Sequence, residues 1–154
     1  MAHVPELLQS AMPFIGGTLG PSSIDFRTKE IVILRTSAQM SCQYCTNTHT
    51  VVASQTDLND EQLRALRGEK PVQEMGFSDA ELLLIEWCDA MADGANGISD
   101  ELMTTLVHHY GEAATVELAL CCSCTIMLNR YATALQLPTA DAHLEWLDSN
   151  GFQR

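Results

Sequence analysis

The stretch that most limits how this chain can fold is EAATVELALCCSCTIMLNRYATAL, from Glu112 to about Leu135. It is apolar around most of its middle, the pattern of a helix enclosed by other helices rather than one lying on a surface. Gly111 precedes it and Pro138 follows it, both helix-boundary residues. A central helix needs partners with apolar stripes of their own, and the rest of the chain supplies helical patterns rather than strands. No sustained alternation of apolar and polar residues occurs. The one Asn-Gly pair, Asn96-Gly97, lies between MADGA and ISDEL, which both read as helix.

Capping residues divide the remainder. Ser22 and Asp25 have capping-box spacing ahead of IDFRTKEIVILRTSAQ, in which Ile24, Ile31, Leu34 and Ala38 recur on one helical face. Ser41 is placed to cap a helix over about Cys42–Gln55, and Asn59 or Asp60 to open EQLRALR, which Gly68 ends. GEKPVQEMG reads as a loop. Ser78 and Glu81 form a second capping box before ELLLIEWCDAMAD, stopped by Gly94. Ser99 opens DELMTTLVHHY, and Thr139 is placed to cap ADAHLEWLD. The expectation is an all-α bundle of about six to eight helices, a single domain over residues 1–154, with short loops and no repeat or linker.

A chain of 154 residues, 46% of them apolar, can bury roughly two-thirds of its unfolded surface and needs no staple to fold. No run approaches about 18 consecutive apolar residues, so no membrane partner is expected. Twenty acidic and eight basic residues give a formal charge of −12, which argues against nucleic acid as a partner. The start, MAHVPELLQSAMPFIGG, lacks the basic and apolar regions of a signal peptide. A cytoplasmic, reducing setting is therefore expected, in which six cysteines do not imply structural disulfides.

MSCQYCTNTH, Met40 to His49, carries the chemistry. With Ser41 as cap, Cys42 starts a helix and Cys45 lies in its first turn, about 60° apart around the axis. Both sulfurs then share one edge, near enough to bridge. Free N–H groups at a helix start favour a thiolate, the attacking form of cysteine. His49, one turn after Cys45, can accept its proton or stabilise its anion. Helix dipole and exposure favour Cys42 as the attacking sulfur, and the histidine spacing favours Cys45. Glu30 lies among Ile31, Val32, Ile33 and Leu34. A carboxylate held inward there suits a proton relay with a histidine, although most such residues are solvated. A zinc reading would use Cys42, Cys45 and His49 with Glu30 or another residue as a fourth ligand. Structural zinc sites, however, draw ligands from two separated segments, and no second Cys/His pair stands out.

The pattern Glu30, eleven residues, Cys42-Gln-Tyr-Cys45, three residues, His49 resembles that of AhpD-like alkylhydroperoxidases of the carboxymuconolactone decarboxylase superfamily. The likeness runs from about Pro21 to Ser54 and continues more weakly into NRYATALQLP. It implies an AhpD-like helical fold assembled as trimers, hexamers or other larger oligomers. It implies that Cys45 attacks the peroxide oxygen of a small hydroperoxide and becomes a sulfenic acid. Cys42 then resolves it to a disulfide, and a dithiol or protein reductant restores the pair. His49 is the immediate proton acceptor in this scheme and Glu30 stands behind it; no cofactor or metal is called for. Some relatives carry a histidine directly before the second cysteine, where this chain has Tyr44, a possible hydrogen-bond donor but a poor proton acceptor near neutral pH. The superfamily also implies an alternative, a decarboxylase-like enzyme on a small organic acid; a third reading is a non-catalytic redox sensor whose disulfide changes its oligomeric state.

Other candidates read more simply. Cys121, Cys122 and Cys124 sit mid-helix, without terminal N–H groups or a histidine one turn on, and read as core packing, as does Cys88. His108 and His109 point about 100° apart on a helix and read as cations at its C-terminal end rather than a chelating pair. His3 and His143 carry no pattern. Met127 reads as core or subunit contact.

Overall fold

A computed structural model describes residues 1–154. Eight helices and no strands make up the chain: α1 (Pro5–Leu19), α2 (Phe26–Gln39), α3 (Gln43–Ala53), α4 (Asp60–Leu66), α5 (Asp79–Ala92), α6 (Asp100–Tyr110), α7 (Glu112–Ala134) and α8 (Asp141–Ser149). The all-α expectation holds.

Several helix starts lie where the capping residues put them. Asn59 accepts from the Gln62 N–H at 3.0 Å, and the Gln62 side chain accepts from the Asn59 N–H at 3.2 Å. Ser78 and Glu81 make the same reciprocal pair. Ser99 accepts from the Leu102 N–H at 3.1 Å. Three other starts are displaced by a few residues. Asp25, not Ser22, caps α2, accepting from the Thr28 N–H at 2.8 Å, while Ser22 accepts from Ile24 N–H in the turn before it. Ala140, not Thr139, is the N-cap of α8 and makes no side-chain bond.

The third displacement matters most. Ser41 does not cap α3, because it already closes α2. Its φ is +53°, its N–H reaches the Ala38 carbonyl, and the Cys42 N–H reaches the Ser37 carbonyl. This is a Schellman closure with serine in the left-handed position where glycine is usual. The next residue, Cys42, is therefore the N-cap of α3. Two helices meet at a corner with no spare residue, and the first cysteine sits on it.

The most enclosed helix is α2 rather than α7. Lys29 to Leu34, Thr36 and Ser37 are all buried, and α2 packs against α3, α4, α5 and α7. By length and hydropathy α7 could cross a membrane. Here it packs on α1, α2, α3, α5 and α6 with one face in the core. Its other face leaves Val116, Leu120 and Met127 exposed.

One buried charge fastens α1 to this framework. Lys29 is fully buried; its Nζ donates to the Thr18 carbonyl at 3.0 Å and the Gly20 carbonyl at 2.6 Å, and pairs with Glu117 at 2.8 Å. The ammonium thus serves carbonyls at the end of α1 that have no helical partner. Lys29→Met removes these bonds and strands a carboxylate. We expect a loss of about 2–4 kcal/mol in chemical denaturation, with limited proteolysis cutting first within α1.

Candidate active site

The corner after α2 puts both cysteines on one side of α3. Cys42 and Cys45 are free thiols with sulfurs 2.7 Å apart, joined by a hydrogen bond. The shared edge expected from their spacing is present, even though the helix begins one residue later than expected. Both thiols are buried, Cys42 at 1% and Cys45 at 7% exposure. They differ in outlook: Cys45 lines a cavity of about 270 Å³ and Cys42 is not among its lining residues. Exposure, expected to single out Cys42, therefore favours Cys45.

The electrostatics depart from the expectation of a helix start holding an activated thiolate. Burial, and then the hydrogen bond with Cys42, push the Cys45 thiol up to about 12; the Asn129 side chain acts against them. The helix start is real, since the first amide to find a helical acceptor is Thr46, which donates to the Cys42 carbonyl at 2.8 Å. Desolvation outweighs it, because a thiolate loses more on leaving water than nearby amide dipoles return. In the resting dithiol, Cys45 needs a base.

A base stands one turn away. His49 Nδ1 lies 3.0 Å from Glu30 Oε2, and the Glu30 side chain is 2% exposed. Glu30 is thus held inward, pointed from the enclosed helix α2 at the imidazole of α3. With the proton on Nδ1 donated to the carboxylate, the lone pair resides on Nε2. His49 lines the same cavity as Cys45, and so does Tyr44. All five residues singled out in the sequence, Glu30, Cys42, Tyr44, Cys45 and His49, therefore converge.

The rest of the cavity wall was not legible as a site. Met12, Ile15 and Leu19 of α1 and Leu128 and Ala132 of α7 make it predominantly apolar. No lysine or arginine lines it. Ser37 and Asn129 add two buried polar groups, with Asn129 Nδ2 donating to Ser37 Oγ at 3.0 Å. In sequence, Ser37 and Asn129 are isolated polar residues in helices. Only tertiary packing, 92 residues apart, pairs them.

Cys88, Cys121, Cys122 and Cys124 are buried and absent from the cavity lining. Cys122 Sγ lies 3.4 Å from Thr36 Oγ1, and burial pushes Cys121 up to about 12. They are core thiols. His108 and His109 are exposed at the end of α6 with ring centroids 5.8 Å apart. Glu30 and His49 are engaged with each other, and no group of three or more potential ligands is gathered for a metal.

Comparison with known proteins follows this geometry. The profile of the carboxymuconolactone decarboxylase family matches residues 5–90. No curated protein matches significantly. Among solved structures, an Agrobacterium tumefaciens protein of unknown function, described as a candidate antioxidant defence protein AhpD, is similar with TM-score 0.79. It is 21% identical, and the alignment covers 90% of this chain and 94% of that one. A peroxidase-related protein from a Silicibacter species gives TM-score 0.80 at 15% identity, over 91% of this chain and 73% of that one. The debrominase Bmp8, as a cysteine-to-alanine variant with 2,3,4-tribromopyrrole, gives TM-score 0.82 at 20% identity, over 97% of this chain and 79% of that one. These likenesses establish the fold.

Proposed function

The chain belongs to the carboxymuconolactone decarboxylase family, and from that premise we propose that it is a thiol-dependent hydroperoxide reductase working through Cys45, Cys42, His49 and Glu30. The observation that carries this reading is the dithiol with sulfurs 2.7 Å apart, beside a histidine bonded to a buried glutamate. One of the two sulfurs faces the cavity.

In the proposed cycle His49 takes the Cys45 proton through Nε2, and Glu30 stabilises the resulting imidazolium. The Cys45 thiolate attacks the outer oxygen of the hydroperoxide. The O–O bond breaks, Cys45 becomes a sulfenic acid, and the alkoxide takes the proton from His49 and leaves as an alcohol. Cys42, already in contact, attacks the sulfenic sulfur; a disulfide forms and water is released. An external dithiol returns two electrons and two protons. Tyr44 is a hydrogen-bond donor at the cavity wall in this scheme.

The family fold alone does not select a reaction, since a debrominase shares it. A small organic acid fits less well, because the cavity wall is predominantly apolar and the groups there able to receive a carboxylate are the Met1 ammonium, already bonded to Tyr131, and His49, already bonded to Glu30. Self-association belongs to the same reading: Val116, Leu120 and Met127 present an exposed apolar stripe along α7 that a second copy can cover.

Thiol titration tests the proposal. Reduced protein has six free thiols. One equivalent of an organic hydroperoxide should remove two within the time of mixing, and peptide mapping should find Cys42 joined to Cys45. Six thiols surviving peroxide would overturn it.

A further inference from the structure

One wall of the cavity is held differently from the rest. Met12, Ile15 and Leu19 on that side all come from α1. This helix packs chiefly on α7, and Thr18 is its only buried residue. From Met1 to Phe14 only Leu8 and Ala11 are even half-buried, and Val4, Leu7 and Phe14 stand in solvent. The helix is therefore pinned at one end. Lys29 Nζ grips the Thr18 carbonyl at 3.0 Å and the Gly20 carbonyl at 2.6 Å, and Glu117 holds the ammonium from α7. The opposite end is tied by an exposed bond, from the Met1 ammonium to the Tyr131 hydroxyl.

Between these ends the helix is built to bend. Pro13 has no N–H to give the Gln9 carbonyl, and its ring crowds that carbonyl. Thr18 Oγ1 donates back to the Phe14 carbonyl at 2.7 Å, a bond that bends helices. Gly16 and Gly17 lie between them. No atom stands within 4 Å of where a Cβ would be at either glycine, and neither has a positive φ. Packing and backbone geometry would both accept alanine, the better helix former. What glycine adds at these positions is conformational freedom.

We propose that α1 is a hinged gate: its N-terminal turns swing on the Pro13–Gly17 segment while Lys29 holds its other end, opening the cavity to molecules that the closed form does not admit. Cys45 is 7% exposed with the gate closed, so a small reagent reaches it through the cavity while a bulky one waits for α1 to move. Opening uncovers the inner faces of Met12 and Ile15, of which Met12 is already half-exposed, and leaves the buried ammonium undisturbed. Segments with few buried apolar contacts are the ones that open locally at low cost. The gate governs access to Cys45 whatever that sulfur then meets, and so goes beyond the hydroperoxide reading.

The test combines Gly16→Ala with Gly17→Ala in the full chain. Gly97→Ala is the control, since Gly97 also has open space around it and no positive φ but lies outside α1. Reduced protein is treated at about pH 8 with iodoacetamide, a small reagent, or with pyrene maleimide, a bulky one, and the Cys45 peptide is followed by mass spectrometry. Each alanine should favour the straight, closed helix about fourfold. The double variant should therefore slow pyrene maleimide roughly tenfold and leave iodoacetamide within about twofold. Pro13→Ala, which restores the missing N–H, should slow the bulky reagent in the same way. Unchanged pyrene maleimide labelling, equal slowing of both reagents, or the same slowing in Gly97→Ala would overturn the gate. So would a change of oligomeric state on size exclusion, which would mean that the glycines seat a second copy. Neither reagent is a peroxide, so the outcome stands apart from the test of the proposed function.

Discussion

On the proposed function, Cys45→Ser should abolish hydroperoxide reduction, with a loss on the order of 10³-fold or more, and Cys42→Ser should not behave the same way. The serine hydroxyl at position 45 cannot accept an oxygen atom, so no first step remains. Cys42→Ser keeps the sulfur that faces the cavity. It should consume one equivalent of hydroperoxide and then stop, leaving a sulfenic acid on Cys45 that dimedone traps. The check is a stopped-flow peroxide assay with mass spectrometry of the trapped peptide. A Cys42→Ser protein that fails in the first turnover, with Cys45→Ser completing it, would reverse the assignment. Helix-start electrostatics alone favour that reversed order. The cavity favours the order proposed here, because a sulfur must meet its substrate before its pKa matters.

His49→Gln should slow the reaction by about 10²–10⁴-fold near neutral pH, and the deficit should shrink as pH rises. A thiol held at about 12 has a thiolate fraction of only about 10⁻⁵ at pH 7 without help. Hydroxide increasingly replaces the missing base as pH climbs, so the two rate profiles converge on the alkaline side. Glu30→Gln keeps a hydrogen-bonding group near Nδ1 but removes the charge that stabilises the imidazolium. It should fall between the two, about tenfold to a hundredfold down. Rates of Cys45 oxidation from about pH 6 to 10 decide the matter. A constant ratio between His49→Gln and the natural protein would mean the ring holds geometry and moves no proton.

Local signals in the sequence were enough for the helical class and for the residues of the dithiol. Asn59 with Gln62, and Ser78 with Glu81, are helix starts that need nothing beyond their neighbours. Ser41 has the right chemistry for the same task but is claimed by the end of the preceding helix. Capping rules consider one terminus at a time, and at a corner this tight two termini compete for one residue. The same limit hid the raised pKa of Cys45. A helix start is visible in sequence, whereas the desolvation that overrides it comes from helices distant along the chain. Glu30 was ambiguous for a related reason, since its apolar neighbours fit a buried or a snorkelling side chain. Its bond to His49 is a contact between two helices. Asn129 and Ser37 carried no signal at all.

The first helix has a consequence for how such a protein can diversify. It contributes Met12, Ile15 and Leu19 to the cavity, packs chiefly on α7, and carries none of Glu30, Cys42, Cys45 or His49. Part of the cavity wall thus lies on a helix separate from the four proposed reacting residues and fastened to them through the buried Lys29. On the proposed function, exchanging residues along that one segment would alter which molecules are admitted while leaving Glu30, Cys42, Cys45 and His49 as they are.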